Sequence, residues 1–213
     1  MNARNTILGR VRKALRQTAP HPSAPPQATI FPALPSEEWL PRFEREFAAL
    51  KGVFHRSPDW DDARAWVTAL AADRGFQRVV VSPDDSSLEV TKNVPGVHAL
   101  DREDCGAQLG SADLGVTACD CLVARTGSVV LTAQSGYGRA LSVLPPAHLV
   151  VARRPQLVAE VRDALRLLDH RHGKMWPSMV TFITGPSRTA DIEKILVLGA
   201  HGPRELYVLL LDF

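Results

Sequence analysis

SPDWDDARAWVTALAADRGFQRVVVS, residues Ser57–Ser82, is the stretch on which the fold reading rests. Ser57-Pro58-Asp59 has the chemistry of a helix start, with small polar caps and a proline where no amide proton is needed. Ala63, Trp66, Val67, Leu70 and Ala71 then recur on one helical face, and Gly75 supplies the stop. Directly after it, Arg78-Val-Val-Val-Ser82 is a short β-branched run with no polar alternation, the pattern of a strand buried on both faces. The same order recurs. His148-Leu-Val-Val-Ala152 reads as a strand, and Pro155 as the start of a helix carrying Leu157, Val158, Val161, Leu165 and Leu168. His170, Arg171, His172 and Gly173 close that helix. Met179–Thr184 and Leu206–Leu211 follow as further strands, Ser36 opens a helix running to Leu50, and residues 114–132 form a denser β region. Helices alternating with short apolar strands predict an α/β layered domain with a mostly parallel sheet.

The chain has 213 residues, 45% hydrophobic and 23% charged, enough for a substantial core and incompatible with wholesale disorder or a collagen-like chain. Its net charge of +2 conceals an asymmetry. Residues 1–16 carry Arg4, Arg10, Arg12, Lys13 and Arg16 and no acid, which leaves 20 basic and 23 acidic residues for the remainder. The body is therefore mildly acidic and offers no clustered positive surface for nucleic acid. Residues 1–17 read as a basic amphipathic helix with Ile7, Val11 and Leu15 on one stripe. A targeting peptide, an anionic membrane surface and docking on a partner or on its own domain are the three readings of that segment. Six of the sixteen prolines fall in residues 18–35, a semi-rigid linker, so the folded domain is expected over 36–213.

Cys105, Cys119 and Cys121 are too few and too crowded for a disulfide framework, which points to a reducing cytoplasm. They also lack the count and spacing of a zinc or iron–sulfur site, and no metal is expected on this chain. No apolar run approaches the roughly 20 residues of a membrane span.

Three segments can carry chemistry. In Ile183-Thr-Gly-Pro-Ser-Arg-Thr-Ala-Asp-Ile-Glu193 an apolar strand ends in a Gly185-Pro186 turn followed by Ser187, Arg188, Thr189, Asp191 and Glu193. Backbone amides, hydroxyls and a guanidinium at a strand's carboxyl end suit a carboxylate or phosphate. Equally, Ser187 or Thr189 caps a short helix while Arg188 pairs with Asp191 or Glu193. The glycine spacing and terminal lysine of a Walker loop are missing. Ala124-Arg-Thr-Gly-Ser-Val-Val-Leu131 on its own reads as a hairpin turn around Gly127. In Gly199-Ala-His-Gly-Pro-Arg204, His201 either meets a ligand or hydrogen-bonds the loop backbone.

Together with Ala112-Asp-Leu-Gly-Val-Thr117 and the run from Arg139 through Leu144-Pro-Pro146-Ala-His148, these segments resemble the LUD-domain family, and within it the LutC-type (YkgG-like) lactate-utilisation proteins. The GPSRTADIE and HGPRE segments carry most of the likeness, which covers roughly residues 36–213. The resemblance implies a three-layer α/β/α domain similar to the NagB/RpiA and CoA-transferase superfamily. It implies a part in oxidising L-lactate to pyruvate alongside sister proteins that hold the iron–sulfur clusters. Residues 1–17 then become a docking arm. Thr126, Gly127, Ser128, Arg139, Gly185, Ser187, Arg188, Thr189, Asp191, Glu193 and His201 are the ligand-binding candidates. Arg125 stands where the family's usual Glu-Thr-Gly-Thr has a carboxylate, so covalent acyl chemistry lacks its nucleophile at that point. The alternative is a free-standing enzyme or binding protein for a small anionic ligand such as a sugar phosphate, an acyl-CoA or a folate, using Arg188, Glu193 and His201.

Overall fold

Strands without polar alternation need cover on both faces, and the arrangement of layers supplies it. The computed structural model describes residues 3–16, 31–101, 105–189, 197–199 and 201–213. Residues 1–33 and 34–213 are two separate compact units. In the first, α1 (Ala3–Leu15) carries Arg12 and Lys13 in its last turn, with Ile7, Val11 and Leu15 exposed.

The second unit opens with a 3₁₀ turn (Ser36–Glu38) and α2 (Trp39–Ala49), then β1 (Val53–Ser57), α3 (Trp60–Arg74), β2 (Val79–Val81), α4 (Asp85–Thr91), β3 (Val97–Ala99), α5 (Cys105–Gly110) and β4 (Leu114–Ala118). It continues through β5 (Cys121–Val123), β6 (Ser128–Thr132), β7 (Ala147–Arg153), β8 (Leu157–Val158), α6 (Val161–His172), β9 (Val180–Ile183), β10 (Arg188–Thr189), β11 (Val197–Leu198) and β12 (Glu205–Leu211). The main sheet is six-stranded and parallel throughout, in the order β1-β12-β7-β4-β2-β3. A second, four-stranded sheet runs β8-β5-β6-β9, with β6 antiparallel to both neighbours and β8 parallel to β5. β10 and β11 form an antiparallel ribbon.

Alternation along the central strands sorts the layers. Ala147, Leu149 and Val151 of β7 and Tyr207, Leu209 and Leu211 of β12 face α3 and α4, where Ala63, Val67, Ala71 and Val90 meet them. Val150 and Ala152, with Leu206, Val208 and Leu210, face the other way onto Phe43 and Phe47 of α2 and onto Leu122, Val129 and Leu131 of the second sheet. α6 covers the far side of that second sheet through Ala164 and Leu168. The parallel sheet flanked by helices is the expected α/β architecture. The second sheet, lying between it and α6, is a layer the sequence did not announce.

Local chemistry explains the boundaries. The Asp59 carboxylate accepts the Asp62 amide at 2.8 Å and starts α3, and Gly75 ends it in the left-handed region at φ 68°. The helix expected from Pro155 begins instead at Val161. Leu157 and Val158 pair with Leu122 and Val123 of β5, and Glu160 with Asp163 forms the capping box of α6. Among the described residues no helix is long and apolar enough to cross a membrane.

Gly127 sits at φ +61° in the β5–β6 turn, and a Cβ there would lie 2.6 Å from the Phe47 amide nitrogen and 2.8 Å from the Glu46 carbonyl carbon. Gly75 has nearly the same φ but open space around it. Gly75→Ala should therefore cost about 1 kcal/mol, the backbone penalty alone. Gly127→Ala should cost roughly 2–5 kcal/mol, because the methyl also pushes α2 away from the turn. Urea unfolding of the two variants measures the difference.

Candidate functional site

The glycine-proline turn after β9 and the loop before β12 are tied to each other by their backbones. The Ser187 amide donates to Pro203 O at 2.8 Å, and the Gly199 amide donates to Ser187 O at 2.9 Å. The Arg204 amide donates to Pro146 O at 2.7 Å, which fastens the same corner to the entry of β7. Gly185 takes φ +93°, where a Cβ would meet Leu50 at 3.0 Å, and a Cβ on Gly202 would meet the Ser187 Cβ at 3.2 Å. Small residues here let three chain segments close on one point.

Beneath this corner lies a cavity of about 230 Å³, lined by Ser142, His148, Thr181–Ser187, His201–Pro203 and Leu206, among others. It opens at the carboxyl end of β9, as expected of a strand-end site, but beside the amino ends of β7 and β12 in the main sheet. A shallower groove of about 690 Å³ adjoins it, sharing Val143, His201 and Gly202 and adding Leu144, Pro146, Gly199 and Arg204.

The structure gathers some of the candidate residues here and not others. Gly185, Ser187 and His201 line the cavity. Thr126 and Ser128 connect to it through a chain of hydroxyls, Thr126 Oγ1 and Ser128 Oγ 2.7 Å apart and Ser128 Oγ and Thr184 Oγ1 2.8 Å apart, while Gly127 between them packs against α2. Arg188 turns away, its Nη2 donating to Leu50 O at 2.9 Å near the end of α2. The alternative pairing with Asp191 or Glu193 falls on residues outside those described. Arg139 is exposed and lines a different cavity, of about 340 Å³, with Tyr137 and Leu141. The Thr189 backbone pairs with Val197, and Asp191 and Glu193 lie outside the described residues. Arg125 is 2.6 Å from Glu160 and ties the β5–β6 turn to the start of α6.

Sequence reasoning overlooked two residues. His148 is wholly buried at the cavity wall, its Nε2 2.9 Å from Thr117 Oγ1 on the neighbouring strand β4, while its Nδ1 has no hydrogen-bond partner among the described residues. Both stood inside quoted motifs. The signal available was a histidine at the head of an otherwise apolar strand. Burial lowers its pKa to about 3, so the ring is neutral at physiological pH.

The cysteines have a different chemistry. Cys119 and Cys121 are buried, and desolvation pushes both thiols up, Cys121 to about 12. A thiol held protonated is a poor nucleophile. Asp120 between them accepts the Thr132 amide at 2.8 Å and the Ser135 hydroxyl at 2.6 Å and pairs with Arg171 of α6.

A family model described as the LUD domain matches residues 40–211. Proteins named lactate utilization protein C are similar to this chain. The one from Oceanobacillus iheyensis is 26% identical over 96% of this chain and 93% of its own length. That from Shouchella clausii is 35% identical over 55% of this chain and 53% of its own, and that from Halalkalibacterium halodurans is 39% identical over 47% and 45%. The matched region thus spans about half the length of the latter two relatives. Among solved structures, a DUF162 family protein from Deinococcus radiodurans superposes with a TM-score of 0.63 over 84% of this chain and 99% of its own, at 23% identity, which establishes likeness of fold.

His148 also makes a pH signature. An unfolded histidine takes up a proton below about 6.5, whereas the buried ring resists until about 3. Between those values the unfolded chain binds more protons, so stability falls as pH falls through that window. From pH 7 to pH 5 this one group should remove about 2 kcal/mol. Denaturant titrations of the wild type and His148→Gln should show that excess acid sensitivity in the wild type only.

Proposed function

This chain belongs to the LUD-domain family, and on that premise we propose that it serves in L-lactate utilisation as a component without an iron–sulfur cluster, working in the cytoplasm with sister proteins that hold clusters. The observation that carries this reading is similarity along nearly the whole of both chains to a protein named lactate utilization protein C. Thiol chemistry supports the division of labour. An iron–sulfur cluster takes four cysteine ligands, and this chain has three cysteines. The cavity beneath the Gly185–Ser187 turn supports a second element of the reading, that the component binds a small carboxylate. In α1, a stripe of Ile7, Val11 and Leu15 left exposed among basic residues supports a docking arm for a sister protein.

A strain lacking this protein should fail to grow on L-lactate and grow normally on pyruvate. Tagged protein from lactate-grown cells should carry iron–sulfur partners, whereas the same chain purified alone should be colourless. Normal growth of the deletion strain on L-lactate would sink the proposal. Removing residues 1–17 should leave the thermal unfolding of the body unchanged and lower the yield of co-purified partners.

A further inference from the structure

β9 is an outer strand of the second sheet, and its register on β6 determines what its free edge offers. Val180, Thr181, Phe182 and Ile183 lie opposite Thr132, Leu131, Val130 and Val129. One step further along, the Ala133 amide donates to Met179 O at 3.0 Å, so that pair is a hydrogen-bonded one. Hydrogen-bonded and non-bonded pairs alternate along an antiparallel ladder. Thr181 and Ile183 therefore direct their main-chain groups to β6, while the N–H and C=O of Val180 and Phe182 point away from it. Thr132 agrees with this phase, since its amide donates to the Asp120 carboxylate and the Ser135 hydroxyl. Among the described residues no strand takes up the outward groups.

Open edges are normally blunted by a charge, a proline or a bulge. Val180–Ile183 has no charge and no proline, and Pro177 and Pro186 stand outside the strand. Space lies along the edge as well. Phe182 lines the cavity of about 230 Å³ although its side chain packs with Val180 into the cluster beneath α6, so its main chain forms that wall. At the amino end of β9, Ser178 lines the cavity of about 340 Å³ with Leu100, Leu109 and Leu141. Both cavities take a wall from one continuous run, residues 137–143. An open strand edge beside a groove is the arrangement that receives an extended peptide.

Charge narrows the choice of occupant. Outside residues 1–16 the chain holds 20 basic and 23 acidic residues. Yet the described residues lining the two cavities and the groove of about 690 Å³ include no acid. Arg139 and Arg204 are exposed there, and neither is in an ion pair with a described residue.

We propose that the edge of β9 receives an extended, acidic segment of a partner protein as a fifth strand of the second sheet. The segment pairs its main chain with Val180 and Phe182. An apolar side chain enters the cavity beside Leu100, Leu109 and Leu141, and a carboxylate meets Arg139. The added strand becomes part of the wall of the smaller cavity, which Phe182 borders. The proposal is independent of the lactate reading and of α1.

Amide hydrogen exchange of the full-length protein, read residue by residue, provides the test. In the free protein Val180 and Phe182 should exchange at least about tenfold faster than Thr181 and Ile183. Equal protection at every protein concentration would mean that the chain covers its own edge, and protection that grows with concentration that a second copy does. Either result overturns the proposal. The probe for the occupant is a short capped peptide alternating glutamate with valine. At millimolar concentration it should protect Val180 and Phe182 saturably, and a version N-methylated at every amide, which cannot approach a strand edge, should not. With lysine in place of glutamate the peptide should bind about fivefold more weakly, and Arg139→Glu should reverse that preference. Val180→Pro removes an amide proton that β6 does not use. It should lower peptide affinity at least about tenfold with thermal unfolding little changed. The wild-type and Arg139→Glu comparisons stand even if the proline variant fails to fold. No protection by the glutamate peptide, or equal binding of the glutamate and lysine peptides, overturns the proposal.

Discussion

β7 and β12 are covered on both faces, and the rest of the domain is arranged to satisfy that burial. Alternate side chains along each strand must go to opposite layers. One set of β7 and β12 side chains meets α3 and α4, and the other meets α2 and the second sheet. A single polar side chain interrupts the second set. His148 falls in register with Gly115 on β4 and Leu206 on β12, and both His148 and Leu206 line the cavity. The same pleat that builds the core thus places an imidazole at the wall of a pocket, and Thr117 two residues beyond Gly115 gives one of its nitrogens a partner.

The corner above that pocket is held by backbone, which makes it insensitive to the identity of many side chains and sensitive to a few glycines. Ser187, Gly199, Pro203, Arg204 and Pro146 are joined by main-chain hydrogen bonds. Gly115 admits Leu141 so closely that a Cβ would stand 2.5 Å from its carbonyl oxygen. Motifs dense in glycine and proline are here a geometric requirement: three loops converge with no room for side chains between them. Arg188 takes part in the same closure by donating to Leu50 O rather than by projecting into the pocket.

The parts legible in the sequence were those written in local chemistry. α3 with its Asp59 cap and Gly75 stop, and the apolar runs of β2, β7 and β12, follow from periodicity and end signals within a few residues. What escaped was decided by distant partners. Leu157 and Val158 carry a helical pattern into α6 but are taken by β5 instead, and β1 acquires its identity only by pairing with β12 at the other end of the domain. The site divides in the same way. Gly185, Ser187 and His201 could be named because turn chemistry is local, whereas the destination of Arg188 and the isolation of His148 Nδ1 are properties of packing.

A neutral histidine in this position also accounts for what the pocket does without. An imidazolium would bind a carboxylate more strongly, but it would need a fixed counter-charge whenever the pocket was empty, and desolvation of that pair is costly. Thr117 offers a hydroxyl instead, so the ring stays uncharged with or without an occupant. Burial likewise keeps the thiols of Cys119 and Cys121 protonated.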